Sequence, residues 1–471
     1  MATVRLTGCA VHSVVTPYPP KISPIVSQFS NGEPISCSAL FAQELTGVDR
    51  ALFAAERGRI RQMLGDSQGS SLDLGVAIEE AMTLDDGASI SIKRLGISIA
   101  SLALNDNVLA YRFPAYERIL LHTYQALGLL NQSLIANAAP EIRRAMDIQA
   151  RLLTEREKVV SEAISVTDKD AAAKSAVDEL QAKYAGINEL AGKVKNSFQN
   201  AFSFYLAGLI LEMNGEAEAS YKEYQNALEL ASDNSVLQRD VMRAAVLNGR
   251  TVELEEYKKR FPKQKSPTRA SEAEIVVFFD ENLVPERQEI VIPVPVSLRG
   301  TVTALAFPTY PKRKLLSKGL NVSVGTNKGK TEPLVDVSAL AAHSLKEEFL
   351  LTILREILRA ATKGYLGITA ERLGNTIGSL VTSGYNIASA KADLRSWLLL
   401  PDTVQVYRSG IAPGSHKVSF YYPGNKRSEK VSINISAGQK AIVHVVAVGK
   451  RLQVNSSIVG SNQAAKTGGM E

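Results

Sequence analysis

The apolar residues of this chain change their spacing near residue 262. Before that point they recur with the period of an amphipathic helix, from about Ser38 to Ala231. Beyond it they alternate in short β-branched runs, as strands do. The change falls on a basic stretch with two prolines, Lys258 to Pro267, which is typical of a helix end followed by a linker. We therefore predict an α+β protein in which an N-terminal stack of helical hairpins precedes small antiparallel β-domains with a helical insertion.

At 471 residues the chain is longer than one hydrophobic core usually organises, so we expect two or three domains. A proline-rich start and tether occupies residues 1–37, and a helical domain occupies 38–262. A mixed β domain with the helical insertion covers 270–400, and part of an antiparallel β-sandwich covers 401–452. Residues 453–471 are rich in Ser, Asn, Gly and Ala and are expected to be disordered.

The second half of the chain alternates between strand and helix patterns. A helix is predicted from about Leu334 to Lys363, between two groups of strands. The predicted strands are Glu274–Phe279, Gln288–Pro295, Val302–Phe307, Thr403–Tyr407, His416–Tyr422, Lys430–Ile435 and Ala441–Ala447.

The stretch Phe198–Leu230 carries the most specific helical signal. It reads as two amphipathic helices joined by a tight turn. Gly208, Ala219 and Ala227 are small where two helices must approach closely, and Tyr224 supplies a bulky ring to fill the gap between them. This hairpin resembles a tetratricopeptide repeat (TPR).

A second signal lies near the start of the chain. The run Leu6-Thr7-Gly8-Cys9 resembles a bacterial lipobox, in which the cysteine receives lipid after a signal peptide is cleaved. The resemblance implies lipidation at Cys9, and Ala10 implies sorting to the outer membrane. The residues before Cys9 hold no apolar segment of signal-peptide length, which leaves an ordinary cysteine as the alternative.

Four segments together resemble an uncharacterised family of TPR-containing lipoproteins of the bacterial cell envelope. They are Leu6–Cys9, Phe198–Leu230, Ile275–Pro293 with the following run to Tyr310, and Ala392–Pro401. The stretch Ala412–His416 resembles part of a PEGA-type β-domain. The family implies a scaffold that is lipid-anchored on the periplasmic face of the outer membrane of a Gram-negative bacterium, with an association with peptidoglycan synthesis. It implies no catalytic residues.

Charge and residue types restrict the chemistry open to this chain. Its 54 basic and 48 acidic residues give a net charge of +6, a weak field compared with that of a nucleic-acid-binding protein. No apolar run is long enough to span a bilayer. Two cysteines are too few for a disulfide framework or a thiolate zinc site, and the five histidines are scattered along the chain. We expect no cofactor, no metal site and no enzymatic activity.

The stretch Gly325–Thr331 ends like a phosphate-binding P-loop. Its first glycine lies one residue too close to the lysine, and Glu332-Pro333 follow where a helix would have to begin. We therefore interpret this stretch as a flexible polar loop without a nucleotide.

Asp393, Arg395 and Trp397 are the best candidates for a special role. In an extended segment alternate residues share a face, so Asp393 and Arg395 can pair beside the ring of Trp397, the one tryptophan of the chain. We favour a structural interpretation, in which Trp397 fills a core and the ion pair holds the junction between the helical insertion and the sandwich. Ligand binding is the alternative.

The leading functional hypothesis is a non-catalytic envelope lipoprotein whose helical hairpins present a concave surface to protein partners. Attachment to the membrane through Cys9, protein partners in the envelope and no nucleic acid belong to this hypothesis, which leaves homo-oligomers open. One alternative is a periplasmic glycan-processing hydrolase with an acidic cleft. A further alternative is a soluble cytoplasmic TPR adaptor.

Overall fold

A computed structural model describes residues 17–95, 110–167, 191–264, 273–295, 302–311, 317–347 and 392–460. Its architecture is mixed α+β, which confirms the α+β part of the predicted fold class. Cys9 lies outside the described residues, as does most of the predicted helical insertion.

Helices make up most of the first half of the chain. Asn200 and Asn234 each begin a helix as an N-cap, because their side chains accept backbone amides of its first turn. Residues 337–347 are also helical. The helices are α1 (Pro19–Asn31), α2 (Arg50–Met63), α3 (Ser67–Leu95), α4 (Ala115–Asn131), α5 (Ile135–Thr167), α6 (Ala201–Met213), α7 (Ala217–Leu230), α8 (Ser235–Leu247) and α9 (Thr251–Arg260).

Helices α2 to α9 pack as four consecutive pairs, and each helix contacts the helices before and after it in the chain. The first helix of each pair (α2, α4, α6 or α8) forms an inner row, and the second helix forms an outer row. Twelve of the thirteen residues of α6 are buried, as expected for a helix that is apolar on all sides. By contrast, α7 buries a single face and α9 contains no buried residue.

The strands form a large sheet, a small sheet and a two-stranded hairpin. The large sheet has the order β11-β10-β1-β7-β6, and the small sheet has the order β5-β4-β8-β9. Neighbouring strands are antiparallel except β1 and β10, which are parallel. The strands are β1 (Ala273–Glu281), β2 (Gln288–Pro295), β3 (Val302–Thr309), β4 (Asn321–Val324), β5 (Asn327–Lys330), β6 (Glu332–Asp336), β7 (Thr403–Ile411), β8 (Gly414–Tyr422), β9 (Arg427–Ile435), β10 (Gln439–Val448) and β11 (Arg451–Gly460).

The large sheet is the central layer of the molecule. Alternate residues of β1 divide between its two faces, as the period of a strand requires. Ile275, Val277 and Phe279 pack with the small sheet, whereas Val276 and Phe278 pack with the helices. The small sheet therefore covers one face of the large sheet, and the inner row of helices covers the other.

Two predicted domain limits are wrong. The limit between residues 400 and 401 cuts through one sheet, because β7 and β10 both pair with β1. Residues 453–460 belong to β11 and are not disordered. Their polar composition predicted disorder, but some of these polar side chains bind helix ends: Asn455 Nδ2 donates to the carbonyl of Met63 at 3.0 Å.

The predicted tether and two other local predictions also need correction. Residues 19–31 of the tether form α1, since Pro19 and Pro20 occupy the first turn, where a missing N–H costs little. Gly325–Thr331 is not a flexible loop, because it contains the β4–β5 turn and strand β5. The predicted helix from Leu334 begins later, because residues 334–336 belong to β6.

Candidate functional site at the strap and the helix–sheet interface

Residues 392–401 run between the helices and the large sheet, and we call this segment the strap. It contains the three sequence candidates, and its backbone is held by residues that lie far away in the sequence. The Ala392 amide donates to Glu289 at 2.8 Å, and the Leu400 carbonyl accepts from the Val284 amide at 2.9 Å. Most of the strap is buried.

Arg395 joins the strap to the helical layer through two carboxylates. Its Nε and Nη2 donate to Asp393 at 3.0 and 2.8 Å, and its Nη1 donates to Asp49 at 2.6 Å. The guanidinium lies over the ring of Tyr111, 5.6 Å from its centroid. Although burial lowers the pKa of Arg395, these carboxylates raise it above its usual value. The Asp393–Arg395 pair is thus present, with Tyr111 as the ring that the cation covers.

Trp397 has no exposed surface. Its ring meets Phe113 and Tyr124 edge to face, with centroids 6.4 and 6.3 Å away. Such contacts are typical of an aromatic core. The geometry therefore favours the structural interpretation of Trp397, at a junction between the strap and the helices.

Glu56 in α2 binds the strap backbone and is fully buried. It accepts the amides of Leu398 at 2.7 Å and Leu399 at 3.0 Å, and it also accepts the hydroxyl of Tyr18 at 2.5 Å. Burial raises the pKa of Glu56 to about 8, against the opposing effect of these donors.

Glu117 in α4 holds the neighbouring part of the strap in the same way. It accepts the Trp397 amide at 3.0 Å and the hydroxyls of Tyr111 and Tyr116 at 2.8 Å each. Burial also raises the pKa of Glu117. Two buried carboxylates from two inner helices therefore bind three consecutive amides of the strap, which pins it between the helices and the sheet.

Neither of these two carboxylates was predicted from the sequence. A signal was present, since Glu56 lies one turn after Leu52 and Phe53, and Glu117 lies one turn before Leu120 and Leu121. An acid within an apolar helix face is rarely buried without a partner. The partner here is a backbone segment more than 270 residues away, which no sequence pattern indicates.

A second buried cluster surrounds Asp280 of β1. Its Oδ2 accepts from Arg59 Nη2 at 2.8 Å and from Tyr124 at 3.3 Å, and it contacts His444 Nε2 at 2.8 Å. Arg59 also stacks on the Tyr124 ring, 3.9 Å from its centroid. Burial raises the pKa of Asp280, but His444 and Arg59 lower it more, so that it lies below its usual value. This cluster connects α2 and α4 to β1 and β10.

The largest cluster surrounds Arg408 of β7, whose side chain is 4% exposed. Its guanidinium contacts Glu212 of α6 at 3.2 Å, Asp240 of α8 at 3.3 Å and Glu274 of β1 at 2.7 Å. Lys440 of β10 pairs with Glu212 and Glu274. Three elements of the large sheet are therefore joined by charge to two inner helices.

The charges in this cluster balance. Arg243 of α8 contacts Glu212 at 2.6 Å and Asp240 at 3.3 Å, which brings the cluster to three cations and three carboxylates. Burial raises the pKa of Glu274, but the neighbouring cations outweigh it and lower that pKa to about 2. The pKa of Glu212 is lowered for the same reason.

Another buried carboxylate, Glu281 at the end of β1, is bound by uncharged donors and is 1% exposed. It accepts from Gln405 at 2.7 Å, from Tyr422 at 2.8 Å and from the Lys318 amide at 2.8 Å. Tyr422 belongs to β8, so Glu281 connects the large sheet to the small one.

These clusters connect the layers of the protein through hydrogen bonds and ion pairs.

Among the described residues, no group of His, Cys, Asp or Glu side chains has the arrangement of a metal site. One helical pair was not predicted from the sequence: His343 and Glu347 lie one turn apart, with Nδ1 and Oε1 separated by 3.3 Å. The P-loop-like stretch is also tied into the fold, because Thr331 Oγ1 donates to Gln405 at 2.7 Å.

The residues of the TPR-like prediction meet between α6 and α7. A Cβ on Gly208 would lie 2.8 Å from the Tyr224 ring, so the two helices can approach only because residue 208 is glycine. Ser220 donates to the Gly208 carbonyl at 2.7 Å. Tyr224 and Ala227 have no exposed surface, and Ala219 is partly buried against the same core.

Within the described part of the chain, no helix has the length and apolar character needed to cross a membrane. Comparisons with known proteins found no matching family model, no similar curated protein and no similar solved structure.

Proposed function

We propose that this protein is a non-catalytic scaffold of the bacterial cell envelope, which is anchored by lipid at Cys9 and binds protein partners through its helical layer. In this proposal the four helix pairs are TPR-like, with each pair packed on the next in chain order. The partner site lies on the outer row and at the end of the stack.

The single observation that carries this proposal is an exposed apolar group at the end of the helical stack. Val246, Leu247 and Val252 are 46%, 55% and 70% exposed and lie within seven residues of one another, around the α8–α9 turn. Exposed apolar side chains that are clustered along the chain in this way are typical of a protein interaction site. The group lies on the last pair of the stack, where no further pair covers it among the described helices.

The packing also supports a binding surface other than the concave one expected from the sequence. The inner row of helices lies against the large sheet, to which it is joined through Arg408 and Asp280. In this proposal a partner therefore uses the outer row or the end of the stack.

The buried charges support a structural assignment over the hydrolase alternative. Glu56 and Glu117 have the raised pKa of an acid catalyst, yet both are bound to amides of the strap. A carboxylate occupied by the protein's own backbone is not available to protonate a glycosidic oxygen.

Lipid attachment is tested by expressing the gene with its own upstream sequence in a Gram-negative host that is fed a clickable palmitate analogue. We expect label on the wild type and on Cys37→Ser, and none on Cys9→Ser. Cys37 is a matched control because it is the other cysteine of the chain. Equal labelling of Cys9→Ser and wild type, or no labelling of either, would refute the anchor.

Partner binding is tested with a photo-crosslinking amino acid placed at Leu247 or at Val252, and at exposed Ser436 as the control position. We expect a discrete crosslinked protein at the first two positions only, which disappears when the other apolar residue is changed to Asp. Identical crosslinking patterns at position 436 would contradict the proposed site. Crosslinking to a second copy of this chain would show that the partner is another molecule of the same protein.

A further inference from the structure

The solvent face of the small sheet carries cations and hydroxyl groups in an ordered pattern. Residues that oppose each other in a ladder point to the same face of the sheet. Lys328 opposes Ser323, Ser323 opposes Ser419, and Ser419 opposes Lys430. One continuous row therefore crosses all four strands, with a lysine at each end and two serines between them.

Two neighbouring rows on the same face repeat this composition. One of these rows consists of Lys330, Asn321, Tyr421 and Ser428. In the other, Lys417 opposes Ser432. Tyr421 is 41% exposed. The opposite face of these strands carries the buried apolar side chains, which fixes the orientation: Val322, Val418, Phe420 and Ile433 belong to the core between the sheets.

No acidic residue occupies any position of this face. Its alternate positions hold only Lys, Ser, Asn and Tyr in the four paired strands, although the chain as a whole has almost as many acids as bases. Glu429, the one acid of β9, has the opposite alternation and opposes the buried Phe420. The face is thus cationic, because none of its paired positions holds an acid.

We infer that this face, which we call the lysine–serine face, binds an anionic polysaccharide. Lysine is a compact, strongly hydrated cation that pairs with carboxylate or sulfate groups in water. Serine and asparagine supply hydrogen bonds for sugar hydroxyls, and the exposed Tyr421 ring supplies an apolar surface for one sugar ring. The two lysines of the continuous row stand about 14 Å apart, the width of three strand spacings, so a chain of several sugars spans them.

The composition of the face favours a glycan over two other polyanions. Proteins that bind single-stranded nucleic acid stack successive bases on several aromatic rings, and this face has one. Proteins that bind a bilayer surface insert apolar residues beside their cations, and this face has no aliphatic residue. This inference does not depend on the proposed protein-binding site, which lies on the helices.

The test measures binding of the full chain to polygalacturonate oligosaccharides by calorimetry, with uncharged dextran, phosphatidylglycerol vesicles and oligothymidine as comparison ligands. We expect binding to polygalacturonate that weakens as salt is added, and no binding to dextran. The triple change Lys328→Gln, Lys417→Gln and Lys430→Gln should weaken binding about tenfold, since each exposed ion pair contributes modestly.

Two control variants separate a loss of binding from a loss of folding. One is the triple change Lys193→Gln, Lys222→Gln and Lys259→Gln, which removes three exposed lysines of the helical half and should leave binding unchanged. Tyr421→Ser should weaken binding without changing its salt dependence. Tighter binding to vesicles or to oligothymidine than to the oligosaccharide would overturn the inference. Equal loss in the two triple variants, or no binding to the oligosaccharide, would also overturn it.

Discussion

Arg408 is the best place to test whether buried charge holds the helices to the large sheet. Its guanidinium contacts carboxylates from α6, α8 and β1, and its side chain is 4% exposed. Arg408→Met keeps most of the side-chain volume and removes the charge. Glu212, Asp240 and Glu274 then face two cations instead of three, so one buried carboxylate loses its counter-charge.

The expected loss follows from that uncompensated charge. Breaking a buried ion pair by removing one partner costs about 3–5 kcal/mol. The pKa of Glu274 gives a figure of similar size for Arg408, Lys440 and Arg243 together: lowering it from 4.5 to about 2 corresponds to about 3 kcal/mol of stability at neutral pH. We therefore expect Arg408→Met to lower the free energy of unfolding at pH 7 by about 3–5 kcal/mol.

The sign of the pH dependence follows from the lowered pKa of Glu274 and Glu212. Stability from such groups is fully present above the pKa of the unfolded chain, and it is lost as the pH falls towards the folded value. Below about pH 5 the unpaired carboxylates of Arg408→Met take up protons more readily than those of the wild type. The difference between the two proteins should therefore shrink as the solution is acidified.

The assay is urea unfolding at pH 7 and pH 4, followed by circular dichroism and by the fluorescence of Trp397. Arg427→Met is the matched control, since Arg427 is exposed at the start of β9. It should change the free energy of unfolding by less than about 0.5 kcal/mol. A loss below about 1 kcal/mol for Arg408→Met at pH 7, or an equal loss at both pH values, would refute the reasoning.

Three further predictions concern the strap and the helix pairs. Raising the pH from 5 to 9 should destabilise the wild type by up to about 4 kcal/mol more than Glu56→Gln. The reason is that the folded chain holds the Glu56 proton up to about pH 8, whereas the unfolded chain releases it near 4.5. Equal pH profiles of the two proteins in urea unfolding would contradict this. Trp397→Ala should lower the free energy of unfolding by about 3–5 kcal/mol through the cavity it leaves, and a change under about 1 kcal/mol would show that the ring is not core. Gly208→Ala should destabilise the protein by about 1–2 kcal/mol in thermal unfolding, because the added Cβ meets the Tyr224 ring. Gly75→Ala in α3 has open space around it and should stabilise the protein by up to about 1 kcal/mol. The opposite order of stabilities would disprove the close approach of the two helices.

The candidate site could be predicted only in part. The pairing of Asp393 with Arg395 follows from their spacing two residues apart, and the structure contains that pair. The residues that complete the site, Asp49, Glu56 and Glu117, come from the other end of the chain. Each contact to them spans more than 270 residues, and local patterns carry no information about such distances.

The amino-acid sequence by itself determined where helices give way to strands, because the spacing of apolar residues is a local property of the chain. It determined most strand positions and the small residue at Gly208. Only the tertiary structure decided that strands from both predicted β segments share one sheet, and that this sheet covers the inner row of helices. It also decided which faces the charged residues occupy, since the partners of Arg408 and Glu56 become neighbours only after the layers pack. A strand of polar residues such as β11 forms because β10 and the helix ends satisfy its hydrogen bonds, and its own composition gives no sign of this.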